Sequence, residues 1–143
     1  MSRNRAPSLR TARPADVPAL IALWEVAAEN DSRPTDRPEM VERLLTRDAD
    51  ACLVAEDEGA IVGSVIAGWD GWRAHLYRLA VHPDARRRGI GSLLLAAAEE
   101  RLRALGASRI DAMVLEDNRL GQTIWRSAGY APQPDWRRWV RPV

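Results

Sequence analysis

The 143-residue sequence contains no lysine, so every one of its 21 basic side chains is an arginine. It also contains a single cysteine, Cys52, and only two histidines. One cysteine excludes an internal disulfide, and its place in the apolar run 52–55 predicts a buried, inert thiol. No group of His, Cys and Asp has metal-ligand spacing, so we expect no metal site.

Long apolar runs and a strong charge imbalance are missing as well. A stretch of about 18 apolar residues does not occur and the N-terminus is polar, so we expect neither a membrane span nor a signal peptide, and a cytoplasmic protein. The net charge of +1 gives no general attraction to nucleic acid. The Trp- and Arg-rich segment 136–141 is therefore interpreted as a terminal strand rather than a nucleic-acid patch, and such an edge strand could also serve a homodimer.

Length and periodicity predict one α+β (mixed α/β) domain over residues 9–143 behind a flexible leader, 1–8. The apolar spacing predicts the element order β-α-α-β-β-β-α-β-α-β. Turns are expected at Asp57–Gly59 and at Asp70-Gly71. The expected helices run from Pro14 or Asp16 to 28, over 40–45, over 90–105, and to 127 with Asp117 or Asn118 as the cap, and a loop is expected at 31–38. The expected strands are 9–13, 51–56, 60–68, 75–81, a buried strand at 108–115, and 136–140.

The segment 79–92 carries the strongest chemical signal in the sequence. An apolar strand end is followed by Arg86-Arg87-Arg88-Gly89-Ile90-Gly91 and then by an amphipathic run. Glycines let a bulky anion approach the backbone, and the start of a helix favours negative charge. A P-loop is excluded because it needs a lysine, and a dinucleotide fingerprint is excluded because its third glycine would stand at Leu94. A phosphate site and a plain helix start both remain open at this point.

A second segment removes that ambiguity. The run 118–130 places an asparagine, a helix, an aromatic residue and Gly129-Tyr130 at the proper distance from Leu79-Ala80-Val81-His82-Pro83 and the Arg-Gly turn. Together these segments resemble the GNAT superfamily of N-acetyltransferases over roughly residues 9–131. The resemblance implies a mostly antiparallel central sheet with splayed fourth and fifth strands, about four flanking helices, and acetyl-CoA as the cofactor.

The resemblance also implies which residues hold the donor. Backbone amides of the turn and the helix start would bind the CoA pyrophosphate, and the strand end would pair with the pantetheine arm. The N–H of Val81 would polarise the thioester carbonyl. Asn118 would hydrogen-bond the arm or act only as a helix N-cap. The implied cofactor-binding residues are Leu79, Ala80, Val81, Arg86, Arg87, Arg88, Gly89, Ile90, Gly91, Ser92, Asn118 and Trp125.

The expected reaction is acetyl transfer to a primary amine of a small molecule, peptide or protein by direct attack in a ternary complex. Candidate bases are His75, Glu116 and Tyr77, of which His75 and Tyr77 share a face by strand alternation. Many relatives have a tyrosine at the position of Trp125, and an indole N–H cannot replace its acidic hydroxyl. That departure leaves an alternative, a non-catalytic or weakly catalytic acyl-CoA-binding module.

Aromatic and acidic residues before the CoA strand are candidates for the acceptor site. They are Trp24, Trp69, Asp70 and Trp72. Aromatic rings beside carboxylates suit a cationic amine. The competing interpretation is that Trp24 is a core residue of its helix and that Asp70-Gly71 is only a turn.

Overall fold

The protein is described from a computed structural model, which covers residues 6–27, 36–116 and 118–143. Over these residues a sheet of five strands, paired in chain order, carries four α-helices, and this mixed arrangement confirms the predicted fold class. Short 3-10 turns occupy Pro14–Asp16 and Pro83–Ala85. The elements are β1 (Ser8–Thr11), α1 (Val17–Val26), α2 (Pro38–Arg47), β2 (Cys52–Asp57), β3 (Ala60–Trp69), β4 (Ala74–Val81), α3 (Ile90–Leu105), β5 (Ile110–Ala112) and α4 (Arg119–Ser127).

The sheet opens between its last two strands. Strands β1 to β4 pair antiparallel, whereas β4 pairs parallel with β5 only from Ala74 to Leu76. Beyond Leu76 the two strands diverge, which confirms the expected splay. At a rise of about 3.3 Å per residue, the five residues from Leu76 to Val81 leave about 16 Å of β4 edge unpaired by β5.

Helices cover both faces of the sheet. On one face α3 packs on β2, β3 and β4 through a buried stripe, and on the other face α1 and α2 pack on Cys52, Val54 and Ala80. The stripe repeats at helical spacing and consists of Ile90, Leu94, Leu95, Ala98 and Leu102. A glycine at position 63 lets the start of α3 lie directly on β3, because a Cβ there would stand 3.0 Å from both Ile90 Cγ2 and Leu94 Cδ1.

The two predicted hairpin turns are present. Glu58 and Gly59 both have positive φ, 51° and 81°, as a tight turn between twisted strands requires. Gly71 has a φ of 93°, and Asp70 Oδ1 accepts hydrogen bonds from the N–H groups of Trp72 and Arg73 at 2.7 and 2.6 Å. Asp70 therefore stabilises the β3–β4 turn through its side chain.

Two strand predictions were wrong. Residues 136–140 form no strand, and all side chains from 131 to 143 are exposed, including Trp139 at 93%. Prolines at 132, 134 and 142 cannot donate to a ladder, and the segment has no buried face to favour pairing. The buried strand expected at 108–115 shrinks to Ile110–Ala112, because pairing stops where β4 and β5 diverge, and Met113 is exposed.

Some predictions fall on positions outside the described residues. They concern the leader at 1–5, the end of the first helix at Ala28, the loop through 35, and Asp117 as an alternative helix cap. Strand β1 begins at Ser8, so that residue is not part of a leader. Within the described ranges, no helix is both long and apolar enough to cross a membrane.

Candidate active site

The turn before α3 leads into a helix start that has no side-chain cap. Arg87 and Gly89 both adopt left-handed conformations, with φ of 65° and 73°. Gly89 is the N-cap of α3 and supplies no side-chain acceptor to the first amides of the helix. A helix start without a side-chain cap suits an anion, because the first N–H groups of the helix have no acceptor within it.

The three arginines of the turn have different surroundings. Arg88 Nη1 lies 2.8 Å from Asp57 Oδ2, so this side chain ties the turn to the end of β2. Arg86 Nε donates to the Val81 carbonyl at 3.4 Å, and Arg87 is exposed. Arg86 and Arg87 thus supply positive charge at the turn, whereas the charge of Arg88 is offset by a carboxylate.

The N–H of Val81 faces the opening between β4 and β5. His82 N donates to the Val62 carbonyl at 2.8 Å, and hydrogen-bonded pairs alternate with non-bonded pairs in an antiparallel ladder. Val81, which lies opposite Gly63, is therefore a non-bonded position whose N–H and C=O point away from β3. Its neighbours on the strand pack into the protein, with Leu79 against the α3 core and Ala80 in the α1–α2 core.

The helix start and α4 close the other side of the opening. A Cβ added to Gly91 would stand 3.8 Å from Val81 Cγ2 and 3.9 Å from the side chain of Ile124, so the start of α3 lies between β4 and α4. Ile90 is buried beneath this point and Ser92 is exposed above it. The donor-facing amides of α3 and of Val81 therefore line one cleft.

Asn118 is the N-cap of α4. Its Oδ1 accepts a hydrogen bond from Gly121 N at 2.9 Å, and its side chain lies against Gly121, where the lack of a Cβ leaves room. The cap uses only the oxygen of the side chain, so its Nδ2 can still donate to a ligand in the cleft.

Trp125 lies in the core rather than on the cleft surface. It is 7% exposed and meets Tyr130 edge to face, with 4.9 Å between the ring centroids. Burial raises the pKa of Tyr130 to about 12. Tyr130 thus packs against the core as expected, and it is a weaker acid than an ordinary tyrosine.

His75 and Tyr77 lie together on the sheet face opposite α3. Their rings stack at 6.0 Å, and the Tyr77 ring also covers Gly68, where an added Cβ would lie 3.5 Å from Tyr77 Cε2. Burial raises the pKa of Tyr77, the nearby Asp70 carboxylate raises it further, and the positive charge of Arg138 lowers it. Glu116 follows β5 with an exposed side chain, while its carbonyl accepts from Gln122 Nε2.

The four candidates for the acceptor site are not brought together. Trp24 is 3% exposed and its indole donates to Ser64 Oγ at 2.8 Å, which places it in the α1–α2 core. Trp69 packs against the α3 core on the opposite face. Only Asp70 and Trp72 are exposed neighbours, and the Arg73 guanidinium already lies 4.3 Å from the Trp72 ring centroid.

Two contributors to the cleft were not expected from the sequence. Gly63 sets the height of α3 above the sheet, and Asp57 anchors the turn through Arg88. A glycine inside an otherwise apolar strand is a usable signal for close backbone approach. Cys52 is buried as predicted, and burial raises the pKa of its thiol to about 12.

A sheet whose last two strands part beside the start of a helix, with a strand N–H turned into the gap, is the arrangement of a GNAT-type acetyltransferase fold. The family model described as acetyltransferase (GNAT) family matches residues 18–130, and the chain belongs to that family.

Known relatives agree with this assignment. A Pectobacterium atrosepticum protein named acetyltransferase is 48% identical over 111 residues, which cover 77% of each chain. A ribosomal-protein-alanine N-acetyltransferase from Brucella melitensis is 30% identical, with a TM-score of 0.71 over 85% of this chain and 83% of that one. A putative acetyltransferase from Salmonella typhimurium, solved with its cofactor acetyl-CoA, shares the fold, with 20% identity and a TM-score of 0.75 over 89% of this chain and 80% of that one.

Proposed function

We propose that the protein transfers the acetyl group of acetyl-CoA to a primary amine, by direct attack of the amine on the thioester. The observation that carries this proposal is the N–H of Val81, which points into the β4–β5 gap beside the anion-binding turn. A fixed donor at that place suits the carbonyl oxygen of a thioester, where negative charge develops during attack. The family membership and the acetyl-CoA complex of the Salmonella relative support the choice of donor.

The donor would lie along the unpaired edge of β4. The pyrophosphate would sit at Arg86–Gly91, with the amides of Ile90, Gly91 and Ser92 as donors and Arg86 and Arg87 as counter-charges. The pantetheine arm would then pair with the free edge of β4 between Leu79 and Val81, as an added strand does. The Asn118 Nδ2 group would donate to the same arm.

In the reaction, the amine nitrogen forms a bond to the thioester carbon, the C–S bond breaks, and CoA leaves as its thiolate. The attacking amine must be neutral, so its proton passes to a base before or during attack. His75 is our first candidate for this base, with Tyr77 stacked beside it. Six residues of β4, about 20 Å at 3.3 Å per residue, separate His75 from Val81, so the proton would pass to it along a chain of waters. Trp125 has no acidic proton to give, so the thiolate takes its proton from another group or from water, or leaves unprotonated.

The acceptor would approach over the open face that carries His75 and Tyr77, with Asp70 at its rim. Both a small-molecule amine and a peptide or protein amine are chemically compatible with such an exposed face. The name of the Brucella relative favours including an N-terminal alanine peptide among the acceptors to be tested. We propose a cytoplasmic location, which a single cysteine held as a buried thiol supports.

The test is release of free thiol from acetyl-CoA across a panel of amines, comprising polyamines, aminoglycosides, amino acids and N-terminal peptides. The decisive variant is Val81→Pro, which removes the one N–H assigned to the thioester. It breaks no ladder bond, because that N–H points away from β3. The matched control is Val81→Ala, which shortens the side chain and keeps the amide.

We expect Val81→Pro to lower kcat by about 100-fold or more, the usual cost of losing one oxyanion donor, while Val81→Ala stays within about threefold. Equal activity of the two variants would refute the role of the amide. The core position of Trp125, which has no hydroxyl, favours a second candidate, an acyl-CoA-binding module. Tight CoA binding without turnover on any amine would establish that function instead.

A further inference from the structure

Strand β4 contains a bulge at Arg78. Ser64 lies opposite Ala80 and Ile66 lies opposite Tyr77, so Val65 alone faces both Arg78 and Leu79. Arg78 has a φ of 52°, a left-handed conformation that costs free energy for a residue with a side chain. Such a conformation persists only where its surroundings hold it in place.

The backbone of Arg78 is held by a buried hydroxyl. Ser64 is fully buried and is the buried polar side chain among the residues that the structure describes. Its Oγ donates to the Arg78 carbonyl at 2.8 Å and accepts from Trp24 Nε1 at 2.8 Å. Because an indole only donates, Trp24 forces the single hydroxyl hydrogen of Ser64 onto the Arg78 carbonyl.

The side chain of Arg78 is held by an aspartate just ahead of α2. Its Nε and Nη2 donate to Asp36 Oδ1 at 3.0 and 2.7 Å, just ahead of α2. The guanidinium also lies 6.0 Å from the ring centroid of Trp24. The backbone of Arg78 is thus bonded to Ser64 of β3, and its side chain to the segment just ahead of α2.

The bulge determines where the Val81 N–H points. Without the extra residue, every position after Arg78 would move by one in the ladder, and the Val81 amide would turn toward β3. We propose that Ser64, oriented by Trp24, is a positioning residue that holds the Arg78 bulge and so directs the Val81 amide at the acetyl-CoA thioester. This inference rests on the proposed function and extends it to residues that do not touch the substrate.

The experiment compares Ser64→Ala, Trp24→Phe and the double variant with the wild type. Leu102→Val, at the far end of α3, is the control for a loss of core packing alone. We expect Ser64→Ala to lower kcat/KM for acetyl-CoA about tenfold or more, because loss of the Val81 N–H itself is expected to lower the rate about 100-fold. Trp24→Phe should have a smaller effect, and the double variant should match Ser64→Ala within about twofold because both act through one hydroxyl. Leu102→Val should lose thermal stability and keep its kcat/KM when assayed well below its melting temperature.

A second readout needs no turnover. In the ligand-free protein, the amide NMR signals of residues 79–81 should move in Ser64→Ala and stay in Leu102→Val. Wild-type kinetics in Ser64→Ala, effects of the two substitutions that multiply, or unmoved amide signals would overturn the inference while leaving the proposed function intact. Failure of the wild type to bind acetyl-CoA would overturn the proposed function, and the amide signals would still show whether Ser64 holds the bulge.

Discussion

The contact between β3 and α3 makes Gly63 the position where one methyl group should damage the donor site. In Gly63→Ala the new Cβ would stand 3.0 Å from Ile90 Cγ2, 3.0 Å from Leu94 Cδ1 and 3.3 Å from the Ala80 carbonyl oxygen. Ordinary carbon contacts lie at about 3.5–4.0 Å, so the side chains of Ile90 and Leu94, and with them the start of α3, must move by a few tenths of an ångström. Ile90 is the first residue of that helix, next to the glycine that caps it, so the movement should displace the amides that we propose bind the pyrophosphate.

The expected loss of stability in Gly63→Ala follows from two opposing free-energy contributions. Overpacking of a core costs about 1–3 kcal/mol, and replacing a strand glycine by alanine returns about 0.5–1 kcal/mol of backbone entropy. The net loss of about 1–2 kcal/mol corresponds to a fall of about 3–8 °C in melting temperature for a chain of this size. The dissociation constant for CoA should rise as well, because the helix amides move away from the pyrophosphate.

The assay is thermal unfolding together with calorimetric titration of CoA. Gly68→Ala is the matched control on the same strand, because its Cβ would make only ordinary contacts, at 3.5 Å from Tyr77 Cε2 and 3.6 Å from the His75 carbonyl oxygen. This control should keep or raise the melting temperature and leave CoA binding unchanged. If Gly63→Ala melted and bound CoA like Gly68→Ala, the close packing of α3 on β3 would not set the position of the site.

Three further predictions concern single side chains. Because Cys52 is buried and its thiol pKa is raised to about 12, iodoacetamide at pH 8 should leave the folded protein unmodified and active, and rapid alkylation would show that the core is open there. Asp16→Asn should lower stability by about 1–2 kcal/mol, since Asp16 accepts two hydrogen bonds from Arg10. Those bonds lower the pKa of Asp16. The stability that Asp16 contributes is therefore complete above the ordinary pKa of 3.8 and is lost as the pH falls below that value. A melting-temperature difference between Asp16→Asn and the wild type that is the same at pH 3 and pH 7 would contradict this. Asn118→Asp should keep the α4 cap and the melting temperature but weaken CoA binding about fivefold. Unchanged CoA binding would show that Asn118 acts only as the helix cap.

The parts of the fold that were predictable are those with a strong local signal. The stripe from Ile90 to Leu102 has the period of a helix, and the two hairpins are marked by Gly59 and Gly71, which adopt the positive φ their turns need. The tail at 136–140 misled because its alternation of Trp and Arg resembles a strand. A strand also needs a partner edge and a buried face, and neither is encoded within five residues.

The candidate site also has one part with a local sequence signal and one part without it. Its donor half consists mainly of backbone amides at Val81, Ile90 and Gly91, and a backbone site needs glycines and left-handed residues that leave a visible mark in the sequence. Its supports, such as Ser64 with Arg78, are contacts between residues far apart in the chain, and their chemistry appears only after the strands pair. The sequence around Ser64 shows only a serine in an apolar strand, and its role appears once the Arg78 carbonyl is placed beside it.

The acceptor half was harder to predict because side chains alone define it, and their meaning depends on which face of the sheet they occupy. Trp24, Trp69 and Trp72 are the same residue type, yet Trp24 and Trp69 pack against opposite cores while Trp72 is 74% exposed. The residues left on the open face are His75 and Tyr77, whose alternation on β4 was readable in advance. In the proposed reaction we therefore expect the amine to be recognised by this strand face and the turn beside it, and we expect changes at His75 to alter acceptor kinetics without changing the affinity for CoA.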